Sequence, residues 1–395
     1  MKDDNRVTPK ILVVDDEPDL EILIRQRFRK QIREDALRFE FAQNGVQALL
    51  KLDEHQDISM VLSDINMPEM DGLTLLGKIG ERNDPCLKSV IISAYGDMEN
   101  IRTAMNRGAF DFLMKPIDFA DLETTIDRTL QQLEVLRQAT RDREQLLWVK
   151  NDLNTAARIQ QSILPQTFPP FPHRTEFDIY AQMVPAREVG GDFYDFFFLD
   201  EDRLAFVIGD VSGKGVPAAI FMAVSRTLLK AIATQVVNPG ETLRRINAML
   251  IPEANGRMFV TIFYGVLNTR TGDMQFSYGA QPPPYIRRGD GTIERLKQEG
   301  GFLLGMVEGM EYDNHKISLR PGDTILLYTD GVTEAMNTSG ELFETERLES
   351  SLRRLNGAPL REMLQSIQSD LVGFAGPAPQ ADDITMLALQ YNGKS

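Results

Sequence analysis

Between Phe119 and Pro165 the chain has neither a glycine nor a proline. So long a stretch without either residue, rich in Leu, Glu, Gln and Arg, reads as one continuous helix that separates an N-terminal from a C-terminal region. Ile126, Leu133, Leu136, Leu146, Leu153, Gln160 and Leu164 fall near heptad positions, and the register breaks between Thr140 and Glu144. This pattern predicts a helical coiled-coil linker over 126–165 with a stutter, and so a homodimer through the helix. A helix packed on its own domain is the competing reading. LPQTFPPFPHR then places four prolines within 165–172, which no helix survives.

Upstream, residues 10–116 alternate short β-branched runs (KILVVDD, VLSDINMP, SVIISAYG) with amphipathic stretches such as DLEILIRQRFRKQI and GVQALLKLDEH. That alternation predicts a doubly wound α/β domain with a parallel sheet, whose ligand sites gather at the carboxyl ends of the strands. Downstream of about Phe177 the text is strand-rich, with FDIYAQMV, RLAFVIGDVS, MFVTIFYGVLN, MQFSYGAQPPPYIRR, DTILLYTDGV and ITMLALQY. Helical stretches at 216–236, 240–251, 343–355 and 358–373 fall between them. The expectation is an α+β layered domain, a β-sandwich flanked by helices.

Composition narrows the chemistry. There are 43 basic and 58 acidic residues, a net charge of −15, which argues against extended nucleic-acid binding. Cys86 is the single cysteine, and the three histidines (His55, His173, His315) are far apart, so a multi-cysteine zinc site and a Ser-His-Asp hydrolase are both disfavoured. No run approaches the ~18 uninterrupted apolar residues of a membrane span, and MKDDNRVTPK has no signal-peptide core, so the expected location is the cytoplasm, away from membranes. Any chemistry here falls to carboxylates.

Two sets of carboxylates stand out. In the first, strand ends deliver Asp15, Asp16, Asp64, Ser93 and Lys115 to one rim of the parallel sheet. Clustered carboxylates repel unless a hard cation neutralises them, and Mg²⁺ with oxygen ligands is the expected solution. A carboxylate so placed can act as nucleophile towards a phosphoryl group. Over residues 9–125 the motifs VVDDEPD, LSDINMPEMDG, IISAYGD and the Lys115–Pro116 pair resemble the CheY-like receiver domain of two-component response regulators, a five-stranded parallel fold. The resemblance implies Asp64 as phosphoacceptor, with Asp15, Asp16, Asp64 and Asn66 around Mg²⁺. It makes Ser93 and Phe112 the switch pair, puts Lys115 on the phosphoryl group, and implies a sensor histidine kinase or phosphotransfer protein upstream.

The second set lies in VGGDFYDFF, VIGDVSGKGVPAA, LYTDGVTEA and QADDITMLAL, each with an acid beside an apolar run. A pocket fed by several such strands would repel itself unless divalent ions bound there, and two ions bridged by Asp210 and a water would ready that water to attack phosphorus. The four motifs in this order, with ARIQQSILPQTFP and RPGDTILLYTDG, resemble the SpoIIE/RsbU-type branch of the PPM (PP2C-like) serine/threonine phosphatases. The phosphatase domain would occupy 166–395. The resemblance implies Asp192, Asp210, Asp330 and Asp382 as the catalytic, metal-binding acids, with the Val211 carbonyl completing the shell and Asp383 the less favoured of its pair. It implies Mn²⁺ or Mg²⁺, two or more, and a phosphorylated STAS-type anti-sigma-factor antagonist, or similar phosphoprotein, as substrate. One departure is Gln281, which stands where the family commonly has histidine. The whole reads as a response regulator whose output is a protein phosphatase. The alternative is a non-catalytic phosphatase-fold adaptor under receiver control.

Overall fold

The computed structural model describes residues 8–94, 96–254, 256–296, 301–355 and 357–393, so the signal-peptide reading of residues 1–7 lies outside the described residues. The chain divides into two compact units, one running through Trp148 and the other from Val149.

The first unit begins with β1 (Lys10–Val14), α1 (Pro18–Arg27), α2 (Arg29–Arg33), β2 (Arg38–Ala42), α3 (Gly45–Glu54) and β3 (Ile58–Asp64). It continues with α4 (Gly72–Glu81), β4 (Lys88–Ser93), α5 (Met98–Asn106) and β5 (Asp111–Met114). All pairings are parallel and the strand order is β2-β1-β3-β4-β5. Along β1 the side chains alternate between two cores: Ile11 and Val13 pack with Leu20, Ile24 and Phe28, while Leu12 and Val14 pack with Ala48 and Leu75. Burial on both faces is why these strands read as unbroken apolar runs. The sequence of β2, RFEFA, gives no such signal, because the strand is only partly buried.

The helix expected after Phe119 is α6 (Phe119–Ile163). Leu122, Ile126 and Leu133 are buried against the first unit, and Arg137 donates to Ser59 Oγ at 2.8 Å. From Gln138 to Asp152 every residue is exposed, and Gln160 is buried again in the second unit.

The second unit contains β6 (Phe177–Val184), β7 (Phe193–Phe198), β8 (Arg203–Val211), α7 (Val216–Ala233), α8 (Pro239–Ala254), β9 (Val260–Asn268) and β10 (Asp273–Gly279). It continues with β11 (Tyr285–Arg287), β12 (Ile293–Arg295), β13 (His315–Ser318), β14 (Thr324–Tyr328), α9 (Asp330–Thr333), α10 (Glu344–Arg354), α11 (Leu360–Ala375) and β15 (Ile384–Tyr391). Two antiparallel sheets form, β13-β10-β9-β8-β7 and β12-β11-β14-β15-β6. Helices α7 and α8 lie on the first sheet, α10 and α11 on the second. In β14, Ile325 and Leu327 face the core between the sheets, whereas Leu326 and Tyr328 meet α10 and α11. The run MQFSYGAQPPPYIRR, expected as one strand, is split: its prolines lack the N–H a ladder needs, and β10 and β11 end in different sheets. Among the described residues α7 alone has the length and apolarity to cross a membrane by composition. Here it packs on the sandwich, and Arg226 forms a 2.7 Å ion pair with the buried Asp195 of β7.

Candidate functional sites: two acidic clusters

In the first unit the strand order reverses direction of growth between β1 and β3, and Asp15 and Asp64 sit at the carboxyl ends of those two strands. Asp15, Asp16 and Asp64 each offer an oxygen within 4.8 Å of the others, and no other acidic, His or Cys trio among the described residues is as tight. Lys115, directly after β5, reaches Asp64 Oδ2 at 2.8 Å, Asp15 Oδ2 at 3.2 Å and Glu17 Oε1 at 3.4 Å. Burial lifts the Asp15 carboxyl, with Asp64 adding to the rise. Burial would lower the Lys115 ammonium, but Asp64 and Asp15 outweigh it and hold the group above its usual range. Asp15 Oδ2 meets only the Lys115 ammonium among the described residues, so an oxygen of a crowded acid trio faces a single cationic group, which suits a cation-binding oxygen. The Asn66 N–H points back to Asp64 Oδ1 at 3.4 Å. Ser93 is fully buried, with its Oγ unpaired among the described residues, and Phe112 on the neighbouring strand is 36% exposed.

In the second unit one end of the sandwich gathers the other aspartates. Phe193 pairs with Gly209, which sets Asp192 beside Asp210 across β7 and β8. From the facing sheet, Asp330 follows β14 and Asp382 precedes β15. Thr329, fully buried, joins the two sheets: its Oγ1 donates to Asp192 Oδ2 at 2.7 Å and accepts from the Thr385 N–H at 3.1 Å. Burial, reinforced by Asp210 and Asp383, raises the Asp192 carboxyl well above its usual range. Asp210 is pushed up to about 7, first by burial and then by Asp330. Asp330 is also raised, by burial and by Glu334 and Asp382. Acids so mutually perturbed suit divalent-cation ligands, since a cation removes the repulsion that raises them.

The adjacent acids Asp382 and Asp383 have separate tasks. Asp383 is buried and accepts from the N–H groups of Ala186 (2.8 Å), Gly191 (2.6 Å) and Asp192 (3.4 Å). Both its oxygens are therefore engaged in shaping the 186–192 loop. Asp382 is partly exposed and pairs with Lys214 at 3.0 Å, whose ammonium also donates to the Ala381 carbonyl. A Cβ on Gly191 would lie 2.6 Å from the Val211 carbonyl oxygen, so only glycine lets the loop approach β8 this closely. Gln281 is buried and satisfied, accepting from Thr261 Oγ1 (2.7 Å) and donating to the Tyr328 carbonyl (3.0 Å). It ties the two sheets together, a duty that its sequence position does not reveal. Thr329 and Lys214 likewise escape sequence reasoning, although Thr329 directly precedes Asp330 and Lys214 lies four residues after Asp210, the one signal available.

The fold is that of a doubly wound receiver-like unit joined to a two-sheet, helix-flanked sandwich, and sequence comparison identifies both. Residues 11–127 match the "Response regulator receiver domain" family and residues 200–392 match "Stage II sporulation protein E (SpoIIE)". The chain is a response-regulator receiver domain fused to a SpoIIE-type, PP2C-like domain. It is similar to Protein IcfG of Synechocystis sp., 33% identical over 269 residues, which cover 61% of this chain and 42% of that protein. It is also similar to Phosphoserine phosphatase RsbU of Bacillus subtilis, 29% identical over 245 residues, covering 61% of this chain and 70% of the relative. The chain thus spans less than half the length of IcfG. Among solved structures, the SiaA-PP2C domain of Pseudomonas aeruginosa shares the sandwich fold, with a TM-score of 0.56 at 24% identity over 62% of this chain and 98% of that one.

Proposed function

We propose that the chain is a response regulator whose output is the metal-dependent hydrolysis of phosphoserine or phosphothreonine on a partner protein. The observation that carries this reading is the gathering of Asp192, Asp210 and Asp330 at one end of a PP2C-like sandwich, each carboxyl raised by burial and by a neighbouring acid. Asp192, Asp210, Asp330, Asp382 and the Val211 carbonyl would hold two or more Mn²⁺ or Mg²⁺ ions, with Asp383 and Thr329 fixing Asp192 in place. When bound, such ions offset the crowded negative charge and lower the pKa of a water towards neutrality, readying it for attack on phosphorus. The exposed Arg187, whose guanidinium lies 4.0 Å from the space a Gly215 side chain would occupy, would fork onto phosphate oxygens. RsbU is named a phosphoserine phosphatase, which supports the same substrate class here; a STAS-type anti-sigma-factor antagonist is the partner we propose.

In the first unit Asp64 would take a phosphoryl group from a sensor kinase or phosphotransfer protein, with Asp15, Asp16 and Asn66 around Mg²⁺ and Lys115 as counter-charge. The buried Ser93 hydroxyl and the partly exposed Phe112 would be the switch pair that responds. We assign 9–125 to the receiver, 126–165 to a coiled-coil linker and 166–395 to the phosphatase. The exposed Leu146, Leu147 and Trp148 support pairing of that linker with a second copy. The test is Mn²⁺-dependent hydrolysis of p-nitrophenyl phosphate and of a phosphoserine peptide by the full chain. Turnover abolished by Asp210→Asn is expected; turnover that survives the change overturns the site.

A further inference from the structure

We propose that Gln160, in the last turn of α6, is a positioning residue for the phosphatase site, acting on the backbone that presents Asp192. This rests on the metal-site reading above. Gln160 lies in the stripe of apolar heptad positions, where a polar residue is out of place by pattern, and it is 7% exposed. Its amide is spent on a single residue: Nε2 donates to the Gly190 carbonyl at 2.6 Å, and Oε1 accepts the Gly190 N–H at 3.1 Å. A side-chain amide that satisfies both polar groups of one buried residue fixes its position and its plane together.

Gly190 is gripped from the opposite side as well. A Cβ there would lie 2.2 Å from Asp383 Oδ2, the oxygen that accepts the Gly191 N–H. The loop before Asp192 is therefore clamped between the linker helix and the start of β15, with no room to relax towards Asp383. Two residues further on, Asp192 is itself buried and held by Thr329. Loss of the Gln160 amide leaves the Gly190 N–H and carbonyl buried without partners, and the loop must move to find others. Asp192 moves with it. Because Gln160 rides on the last turn of α6, that helix is tied through this amide to the loop that presents Asp192.

The test uses metal-stripped full-length protein, with Mn²⁺ binding followed by calorimetric titration and turnover followed with p-nitrophenyl phosphate. Gln160→Leu is expected to weaken Mn²⁺ binding and lower kcat together by roughly tenfold to a hundredfold, as loss of an outer positioning contact does, with KM for the ester little changed. Gln160→Glu keeps the acceptor and loses the donor, so a smaller loss of affinity is expected, and it carries the test should the leucine variant fail to fold. Gln161→Leu, at the exposed neighbouring position, should match the unaltered protein. Both Gln160 variants matching it to within about twofold overturns the assignment. Failure of the unaltered protein to bind Mn²⁺ overturns the site reading and this inference with it.

Discussion

The two acidic clusters solve one electrostatic problem in different ways. At the receiver rim three carboxylates are drawn within 4.8 Å, and the protein supplies its own cation, Lys115, in contact with two of them. In the sandwich the aspartates come from two facing sheets and are not gathered so tightly. The lysine nearby, Lys214, forms its ion pair with Asp382 at the margin, while Asp192 and Asp210 face each other without a cationic partner among the described residues. An internal cation makes a site self-sufficient and poised for one incoming charge. A site lacking one stays strained until ions arrive from solution, which suits a centre that works through those ions.

The sharpest way to break this contrast is to neutralise one acid in each cluster. Asp64→Asn should abolish labelling by acetyl phosphate on a phosphate-affinity gel while leaving p-nitrophenyl phosphate hydrolysis intact. Asp210→Asn should do the reverse, reducing hydrolysis to background, a loss of at least about 10²-fold.

The second effect is on pH. A carboxyl whose folded pKa is raised favours the protonated form, so its contribution to stability is complete below the unfolded value and disappears as pH rises through the folded one. With Asp210 at about 7 against an ordinary 3.8, the chelator-treated phosphatase unit should lose thermal stability between about pH 4 and 7. Saturating Mn²⁺ should flatten that fall in a calorimetric scan; an unchanged slope would break the link between strain and metal.

The lysines give the smaller effects. Lys115→Met strands Asp15 and Asp64 and should cost about 1–3 kcal/mol of receiver stability, partly restored by Mg²⁺, in urea titration. Lys214→Met, at a pair with side chains 40% and 37% exposed, should cost under about 1 kcal/mol and should raise Mn²⁺ affinity by removing a competitor.

How much of the molecule the sequence reveals depends on how local each feature is. The receiver acids sit at ends of parallel strands, and in such a sheet strand end and site coincide, so VVDD and LSD announce their positions. The sandwich acids are legible as motifs, but their partners are not. Thr329 matters because β14 faces Asp192 across the sandwich, and Gln281 because it spans Thr261 and Tyr328; neither relation leaves a local mark. The long helix is legible from the absence of breakers, whereas the partition of MQFSYGAQPPPYIRR between two sheets is a tertiary decision that prolines permit but do not specify.

The division of labour between Asp382 and Asp383 bears on how loss-of-function data from such proteins are interpreted. Under the proposed metal-site reading, replacing either acid should silence hydrolysis by unlike routes: loss of Asp382 would remove a cation's handhold, and loss of Asp383 would let a peptide segment drift. A mutational scan scored on activity alone would count both as ligands and overstate how many ions the centre can accommodate. Metal titrations of each variant, compared side by side, would separate the hand from the wrist that steadies it.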